Sequence, residues 1–395
     1  MLPLIEMGYS YMVNLTIGTP PQSNLLEIDT GSSNTWVASV DYRMSVDSVP
    51  RDLAHCFGRP LPCPAFGFDS TQSASGQILA VNDFRVKYAD QSYFTGDTIA
   101  ENIAFDNDKL HSVPIGLVRR GTDPPFGIMG LGFPIRRHNG TYGARSDLLE
   151  SMVDQNLIKT HSFALHMGER PSIVFGGYDA SKFRGRLAEV PLQPNATTGF
   201  MDRYRMNVTS LGFTRPNGLS TQLSPADSGL QVMLDSGSEI SHLPRTLFRS
   251  LIAELEPLGL YHNSRSADEY ILPCSIRDQP GGLDIGLMAR SKDQTAQFQI
   301  TYRDLFDITY DHDNNYEPMI KDGAPQCRLR FRPFAEESIR LGQQFMRSNY
   351  VVHNLDENVL GIAQAVESPA EPDLHEIWPG EKFSMDLDLR RERRR

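Results

Sequence analysis

Leu25-Leu26-Glu27-Ile28-Asp29-Thr30-Gly31-Ser32-Ser33 decides the fold of this chain. In this stretch an apolar run typical of a buried strand ends on one aspartate, followed by a hydroxyl residue, a glycine and another hydroxyl residue. Val232-Met233-Leu234-Asp235-Ser236-Gly237-Ser238 repeats the pattern about two hundred residues later. A carboxylate in a strand interior is unfavourable unless it is hydrogen-bonded or takes part in chemistry. Two such carboxylates in the same local context predict a pair built to meet.

A second layer of repetition follows each aspartate. Gly130 and Gly342 each stand after an apolar residue, about a hundred residues beyond Asp29 and Asp235 respectively. A unit made of a strand, an Asp-hydroxyl-Gly-hydroxyl turn and a distant apolar-Gly pair therefore occurs twice. We interpret this repetition as a duplicated lobe.

The composition favours a folded protein of strands and turns. Of the 395 residues 39% are hydrophobic, and 31 glycines and 26 prolines accompany many short β-branched and aromatic runs. The formal net charge of -11 argues against a nucleic-acid partner, because no basic field is available to bind phosphates. No apolar run is long enough for a membrane span or a signal peptide. Since secretion requires a leader, we expect a mature form or an incomplete gene model.

The cysteines and the glycosylation sequons indicate an oxidising compartment. Four cysteines allow three pairings, between which the sequence alone does not choose. No CxxC spacing and no nearby histidine cluster occurs, so zinc is disfavoured and we expect disulfides and no metal. Both an extracellular and a vacuolar location fit. The cysteines are Cys56, Cys63, Cys274 and Cys327, and the candidate glycosylation sites are Asn14, Asn139, Asn195 and Asn207.

Periodicity places strands and helices along the chain. Residues 11–17 alternate as a half-buried strand, and residues 84–97 have the pattern of a β-hairpin with a solvent-facing tip. Apolar residues at helical spacing predict helices over 146–156 and 244–255. A segment punctuated by proline and glycine, 190–203, is the candidate linker.

From these signals we predict a mostly β chain in three parts. Residues 1–194 form an N-terminal lobe with the first aspartate and the hairpin, and residues 195–366 form a C-terminal lobe with the second aspartate. Residues 367–395 contain little core-forming pattern and end in a basic run. We therefore expect this last part to be a disordered tail.

Several longer motifs stand in a fixed order along the chain. They are Ile17-Gly18-Thr19-Pro20-Pro21-Gln22, Asp29-Thr30-Gly31-Ser32-Ser33-Asn34-Thr35-Trp36, Tyr88-Ala89-Asp90-Gln91-Ser92, Ile173-Val174-Phe175-Gly176-Gly177-Tyr178-Asp179, Asp235-Ser236-Gly237-Ser238 and Arg347-Ser348-Asn349-Tyr350-Val351-Val352. With these motifs the chain resembles the pepsin-like aspartic endopeptidases, particularly the fungal secreted members, from Tyr9 to about Ala365. One DTG triplet alone is weak evidence, but this whole series in order makes chance implausible.

The resemblance implies a bilobal fold, with two pseudo-symmetric β-rich lobes, a cleft between them and a few short helices. It also implies an endopeptidase that cuts polypeptides at acidic pH through a water activated by Asp29 and Asp235. Two carboxylates around one water share a proton, so one can deprotonate the water while the other polarises the scissile carbonyl. We expect pepstatin-like inhibitors, no cofactor and a monomer, made as a zymogen whose propeptide is absent from this chain. The implied disulfides are Cys56 with Cys63 and Cys274 with Cys327.

The resemblance assigns supporting roles around the two aspartates. Glycine amides hydrogen-bond the carboxylates, one pair of hydroxyls cross-links the two active-site loops, and another pair hydrogen-bonds the outer carboxylate oxygens. The residues with these roles are, in that order, Gly31 and Gly237, Thr30 and Ser236, and Ser32 and Ser238.

The same resemblance makes the hairpin tip a substrate-binding flap. Tyr88 is the flap tyrosine that closes over the substrate with its hydroxyl towards Trp36, although alone it would be an ordinary strand aromatic. Ala89 and Asp90 follow at the tip. The carboxylate of Asp90 can pair with a basic side chain of the substrate, and a solvated turn aspartate is the alternative.

Five positions depart from the family pattern. Ala89 and Gln91 stand where glycines are usual at the flap tip, so the turn geometry is expected to differ. Glu239 replaces a small hydroxyl residue beyond the second aspartate and adds a third carboxylate nearby. Arg340 replaces an apolar residue, and Gln343 replaces an aspartate.

Two other function classes stay open. A catalytically silent relative that binds peptides or proteins in the cleft is suggested by the departures at the flap and at Glu239. A glycosidase can also use two carboxylates, but its carboxyl groups generally come without duplicated Asp-hydroxyl-Gly turns. Cleavage at acid pH that pepstatin blocks distinguishes the endopeptidase from both.

Overall fold

The computed structural model describes residues 1–7, 10–44, 67–105, 108–122, 126–133, 147–225, 229–263, 269–290, 295–311, 317–335 and 338–383. Strands account for 53% and helices for 13%, which confirms the predicted mostly β class. The chain divides into two compact units, 1–161 and 162–395. The predicted lobe boundary after residue 194 stays a prediction. None of the described helices is both long and apolar enough to cross a membrane.

The first unit is built on one large sheet with the strand order β2-β3-β4-β9-β5-β8-β7-β6. Its predicted first strand is present as β3, in which Val13, Leu15 and Ile17 are buried and Asn14 is exposed. The strands are β1 (Leu2–Pro3), β2 (Ile5–Met7), β3 (Ser10–Ile17), β4 (Gln22–Asp29), β5 (Trp36–Met44), β6 (Gln77–Lys87), β7 (Tyr93–Phe105), β8 (Asp108–Gly121) and β9 (Gly127–Gly130).

The second unit contains several sheets, and one of them carries the second aspartate motif. That sheet has the order β21-β20-β14-β16-β28-β17-β27. The strands are β10 (Ser162–His166), β11 (Ser172–Phe175), β12 (Gly177–Asp179), β13 (Ala188–Pro191), β14 (Tyr204–Thr214), β15 (Ser220–Gln222), β16 (Gln231–Leu234), β17 (Ser241–Pro244), β18 (Tyr261–His262), β19 (Tyr270–Pro273), β20 (Gly282–Met288), β21 (Thr295–Thr301), β22 (Phe306–Ile308), β23 (Tyr310–Asp311), β24 (Glu317–Pro318), β25 (Ile320–Lys321), β26 (Ala324–Leu329), β27 (Phe331–Phe334), β28 (Ile339–Leu341), β29 (Asn349–Asn354), β30 (Val359–Gln364) and β31 (Leu374–Glu376).

The described helices are few and short. The two that the sequence predicted are present, and α2 buries Leu247, Leu251 and Leu255 at the expected four-residue spacing. The α-helices are α1 (Asp147–Asp154), α2 (Arg245–Leu255), α3 (Tyr302–Leu305) and α4 (Gln343–Ser348). Short 3-10 helices cover Ser70–Gln72, Ala180–Lys182, Glu256–Leu258 and Cys274–Asp278.

One of the two expected disulfides is present. Cys274 and Cys327 are bonded, with their Cα atoms 4.9 Å apart, and the bond closes a loop of 53 residues within the second unit. This confirms the distant pairing that the family resemblance implies. Cys56 and Cys63 lie outside the described residues.

The core of the second unit contains a histidine. His353 on β29 has no exposed surface, and its ring stacks on Phe163 with the centroids 4.3 Å apart. Tyr204 contacts the same ring edge-on at 4.7 Å. His166 on β10 is also fully buried. Both side chains are ionisable groups held in an apolar setting, where burial disfavours the charged form.

The segment after residue 366 corrects the prediction of a disordered tail. Its strand β31 pairs antiparallel with β12, and Ile377 and Phe383 are buried in the core of the second unit. The composition of the segment is poor in apolar residues, but these two side chains and the edge of β12 are enough to anchor it. Residues 384–395 lie outside the described residues, so the basic run is not placed.

Candidate active site

Asp29 is held at the end of a central strand of the first unit. Strand β4 pairs in parallel with β9, which sets Asp29 opposite Gly130. Both oxygens of the carboxylate accept hydrogen bonds: the Gly31 amide donates to Oδ1 at 2.7 Å and the Ser32 hydroxyl to Oδ2 at 2.5 Å. The side chain is only 7% exposed, so these two donors fix its orientation.

The turn after Asp29 is tied to the end of β9 by backbone contacts. The amide of Leu131 donates to the Asp29 carbonyl at 2.8 Å, and the amide of Gly132 donates to the Ser32 carbonyl at 2.7 Å. A Cβ atom at Gly130 would lie 2.5 Å from the amide nitrogen of Asn34. The apolar-Gly pair that the sequence showed therefore serves as a close backbone support for the Asp29 turn.

We expect Gly130→Ala to destabilise the first unit by about 1–3 kcal/mol, because the added methyl meets backbone atoms that cannot rotate away. Activity should fall together with stability, since the backbone that must shift carries the Asp29 turn. Thermal unfolding and kcat/KM measure the two effects. Gly212→Ala is the matched control, because its Cβ would approach no atom closer than 3.3 Å. Equal effects of the two substitutions would contradict a special role for the close contact.

Asp235 has the same local setting in the second unit. It follows strand β16, which pairs in parallel with β28, and its amide donates to the Leu341 carbonyl at 3.0 Å. The Gly237 amide donates to Asp235 Oδ1 at 3.2 Å, as Gly31 does for Asp29. A Cβ atom at Gly342 would lie 2.1 Å from the Ser238 carbonyl oxygen, so this glycine also allows a close backbone approach.

Gln343 replaces the usual aspartate without leaving a gap in the hydrogen bonding. Its side chain is almost completely buried, and its Nε2 donates to the Ser236 carbonyl at 3.2 Å. Its backbone amide donates to the Ser238 carbonyl at 3.1 Å. The glutamine therefore supports the turn after Asp235 from two sides.

The other predicted support residues also lie in these turns. Thr30 and Ser236 are buried, each with 1% of its surface exposed. Ser238 is half-buried, and its amide donates to the Asp235 carbonyl at 3.1 Å. The roles of these three hydroxyls stay predictions.

Tyr88 lies against Trp36 within the first unit. The indole Nε1 of Trp36 donates to the Tyr88 hydroxyl at 2.8 Å, and Phe94 packs on both rings, at 4.7 Å from Trp36 and 6.0 Å from Tyr88. Burial, followed by the negative charge of Asp29, raises the pKa of the Tyr88 hydroxyl far above its usual value, although hydrogen bonds from Trp36 and Ser32 oppose the shift. The hydroxyl is therefore protonated and close to the Asp29 carboxylate.

The hairpin tip closes without the usual glycines. Gln91 adopts a φ of +76°, a conformation that glycine adopts more readily, and its amide donates to the Tyr88 carbonyl at 3.1 Å. Asp90 Oδ1 accepts hydrogen bonds from the amide and the hydroxyl of Ser92, at 2.9 and 2.7 Å. Asp90 and Ala89 are both exposed. The Asp90 carboxylate thus stabilises its own turn, which is the bland alternative that turn statistics suggested.

Arg330 is a residue near the second motif that the sequence did not single out. Its side chain is 3% exposed, and its Nη2 donates to the Glu239 carbonyl at 2.9 Å and lies 3.7 Å from the Glu239 carboxylate. Partial burial raises the pKa of Glu239, and the positive charge of Arg330 opposes this shift. The third carboxylate is therefore engaged by a buried cation. The alternation of Arg328, Arg330 and Arg332 was the available signal.

The sequons and the metal question complete the predicted sites. Asn14 is exposed, Asn195 and Asn207 are half-buried, and Asn139 lies outside the described residues. Searching the described part of the chain finds no group of three or more His, Cys, Asp or Glu side chains arranged to hold a metal ion.

Comparison with known proteins identifies the family of this arrangement. The family model for eukaryotic aspartyl proteases matches residues 10–365. The chain belongs to the eukaryotic aspartyl protease family. The predicted resemblance and the predicted class, a hydrolase of the aspartic-type endopeptidase kind that acts on peptide bonds, are thereby confirmed.

Curated fungal relatives of this aspartyl protease cover most of its length. "Probable aspartic-type endopeptidase OPSB" of Trichophyton verrucosum is 28% identical over 384 residues, which are 95% of this chain and 72% of the relative. "Probable aspartic-type endopeptidase opsB" of Aspergillus oryzae is 26% identical over 94% of this chain and 72% of its own. "Secreted aspartic protease 4" of Candida albicans is 26% identical over 90% of this chain and 76% of its own.

Proposed function

We propose that this protein cuts polypeptides internally at acidic pH, with Asp29 and Asp235 as a pair that activates one water molecule. The observation that carries the proposal is the repeated setting of the two carboxylates. Each follows a buried strand of a parallel pair, and each Oδ1 accepts a hydrogen bond from the glycine amide two residues later, at 2.7 and 3.2 Å. Structural aspartates rarely come as such a duplicated pair, whereas a shared-proton mechanism requires two.

The chemistry follows from the competition between two nearby negative charges. Both carboxylates cannot ionise cheaply around one water, so they share a proton and titrate as a pair. The ionised member accepts a proton from the water, while the protonated member donates a hydrogen bond to the scissile carbonyl. The water oxygen bonds to the carbonyl carbon and gives a tetrahedral diol. As the diol collapses, the C–N bond breaks and the leaving amine takes up a proton.

The chain supplies a polar contact that connects the hairpin tip with this site. Trp36 donates to Tyr88, and the hydroxyl of Tyr88 also interacts with Ser32, whose own hydroxyl donates to Asp29. Because the pKa of Tyr88 is raised, its hydroxyl keeps its proton at every pH at which the enzyme works. We infer that Tyr88 positions the substrate strand and orients Ser32 towards Asp29.

Tyr88→Phe is expected to lower kcat/KM by about 5- to 100-fold, because removing one hydrogen-bond partner leaves the Trp36 indole unpaired at a cost of about 1–3 kcal/mol. The phenylalanine ring keeps the packing on Phe94, so thermal stability should change little. Steady-state kinetics on a fluorogenic peptide gives the value. Tyr93→Phe, at an exposed position on β7, is the control. Unchanged kinetics in both variants would remove Tyr88 from the site.

Secretion and action as a monomer belong to the same proposal. The acceptor asparagine Asn14 is exposed and available for glycosylation. One relative carries the word "Secreted" in its name. Cell fractionation of the tagged source organism tests the location, with activity in the vacuole rather than the medium as the contradicting result. Sedimentation of the active enzyme tests the oligomeric state.

The deciding experiment is a digest of casein or haemoglobin at acid pH, with and without pepstatin. Cleavage of internal bonds that pepstatin abolishes supports the proposal. A folded, correctly processed sample that binds peptides without cutting them would instead identify a catalytically silent binding protein. Far-UV circular dichroism on the same sample establishes that it is folded.

A further inference from the structure

One sheet of the second unit presents two faces of different character. Four of its strands are neighbours in the order β16-β28-β17-β27. One residue of each pair along these strands points into the core, and the alternate residue points to the opposite face. The fully buried residues on the core face are Val232, Leu234, Ile339, Leu341, Ser241, Leu243 and Phe331.

The opposite face carries a row of cationic or potentially cationic side chains. Met233 lies opposite Arg340, Arg340 lies opposite His242, and His242 lies opposite Arg332, each on the next strand. Side chains in such directly opposed positions have Cβ atoms about 4.5–5.5 Å apart. We call Arg340, His242 and Arg332 the cationic row. Three such groups in consecutive cross-strand positions repel one another unless an anion lies among them.

The charge of the cationic row is not cancelled by the described part of the protein. Within the described residues neither Arg340 nor Arg332 forms a salt bridge, and Glu239 is held by Arg330 instead. The Nε atom of Arg340 is buried without a hydrogen-bond partner among those residues. Its guanidinium lies 5.3 Å from the ring centroid of Phe334, which also contacts His242. A ring on one side and an unpaired donor on the other make a site suited to a planar anion.

The cationic row is adjacent to the second aspartate. Met233 begins the row, and Asp235 follows two residues later, so the two side chains leave the backbone on the same face. Residues two apart along a strand are separated by about 7 Å. The long side chain of Arg340 therefore ends near the groups that react, on the flank of Asp235 away from Glu239 and Arg330.

We propose that the cationic row binds the carboxylate of an aspartate or glutamate side chain close to the scissile bond, so that the enzyme selects acidic peptides. The inference rests on the proposed function of Asp29 and Asp235. Arg340 and Arg332 supply the charge. His242 donates a hydrogen bond between them: burial, followed by the charges of Arg340 and Arg332, lowers its pKa to about 4, so it is neutral at pH 5. A glutamate of the substrate, with a pKa of about 4.3, is ionised at that pH.

The test begins with cleavage of a proteome-derived peptide mixture at pH 5 by the full chain, with the cut sites read by mass spectrometry. Aspartate and glutamate should be enriched at one fixed position beside the scissile bond. A matched fluorogenic pair, with glutamate or glutamine at that position, then gives the ratio of kcat/KM. We expect the parent to favour glutamate by about 5- to 20-fold, the size of one or two charge-assisted contacts. Arg340→Gln and Arg332→Gln should each bring the ratio towards 1.

Charge reversal and a distant control sharpen the test. Arg340→Glu should change the preference from glutamate to lysine at the same position. Arg249→Gln, the same change at an exposed position of α2, should leave the ratio as in the parent. Glu336→Gln with Glu337→Gln checks two acids of the β27–β28 connection that lie outside the described residues, and it should not lower the ratio. An active enzyme without acidic preference, or with a preference that survives both arginine variants, overturns this inference alone. Absence of all cleavage overturns the proposed function instead.

Discussion

Asp29→Asn is expected to lower kcat for protein cleavage at acid pH by about a thousandfold or more, with the unfolding temperature almost unchanged. An asparagine amide cannot take a proton from water, and positioned proton transfer contributes about 10²–10⁴ in rate. The fold tolerates the change because the amide oxygen still accepts from Gly31, while the amide nitrogen can donate to the Ser32 hydroxyl. Steady-state kinetics and thermal unfolding on the same preparation measure the two quantities.

The partner residue and a control complete this prediction. Asp235→Asn should reduce kcat to a similar degree, and the double variant should be no worse than either single one, because groups that act as a unit are not additive. Asp108→Asn, an exposed aspartate of the first unit, should keep full activity. Losses that simply multiply in the double variant would show that the two carboxylates act independently, which a shared-proton pair excludes.

Acid itself is expected to destabilise the second unit through two buried histidines. Burial lowers the pKa of His353 to about 3, and burial together with the charge of Lys182 lowers the pKa of His166 to about 4. In the unfolded chain both titrate near 6.5. As the pH falls below 6.5 the unfolded state binds protons that the folded state refuses, so the free energy of unfolding decreases, and the loss levels off below the folded pKa values. For His353 alone this is about 2–3 kcal/mol between pH 7 and pH 4.5.

His353→Phe should remove most of that dependence. The phenylalanine ring can keep the stack on Phe163, where the centroids are 4.3 Å apart, and it has no proton to gain. Urea unfolding followed by circular dichroism at pH 7 and pH 4.5 gives the difference for each variant, and we expect it to shrink by about 2–3 kcal/mol. His262→Phe, at an exposed position, is the control and should leave the difference unchanged. A pH dependence in His353→Phe equal to that of the parent would assign the acid sensitivity to other groups.

The sequence predicted those parts of the site that are written into short, local patterns. Both aspartates, the glycine that follows each at two residues, and the supporting glycines Gly130 and Gly342 all lie where the repetition indicated. Their geometry follows from a strand end and a tight turn, which local sequence specifies.

The features that the sequence missed depend on distant or unusual contacts. Strand β31 forms only because the edge of β12 is available to it, and no pattern within residues 367–383 reveals that partner. Arg330 is buried although arginine is normally a surface residue, because the Glu239 carbonyl and Asp307 satisfy its donors. Gln91 adopts a backbone conformation that its side chain disfavours, so residue type alone pointed to a different turn.

The pairing of β31 with β12 also bears on how the chain is made. The amide of Asp373 donates to the Asp179 carboxylate across 194 residues of sequence, and Phe383 packs still later in the chain. During synthesis the ribosome delivers β12 long before β31, so an open strand edge and an unfilled apolar site wait for the end of translation. The second unit therefore completes its folding only after release of the last described residues, which makes chaperone protection of the nascent chain a requirement of this architecture.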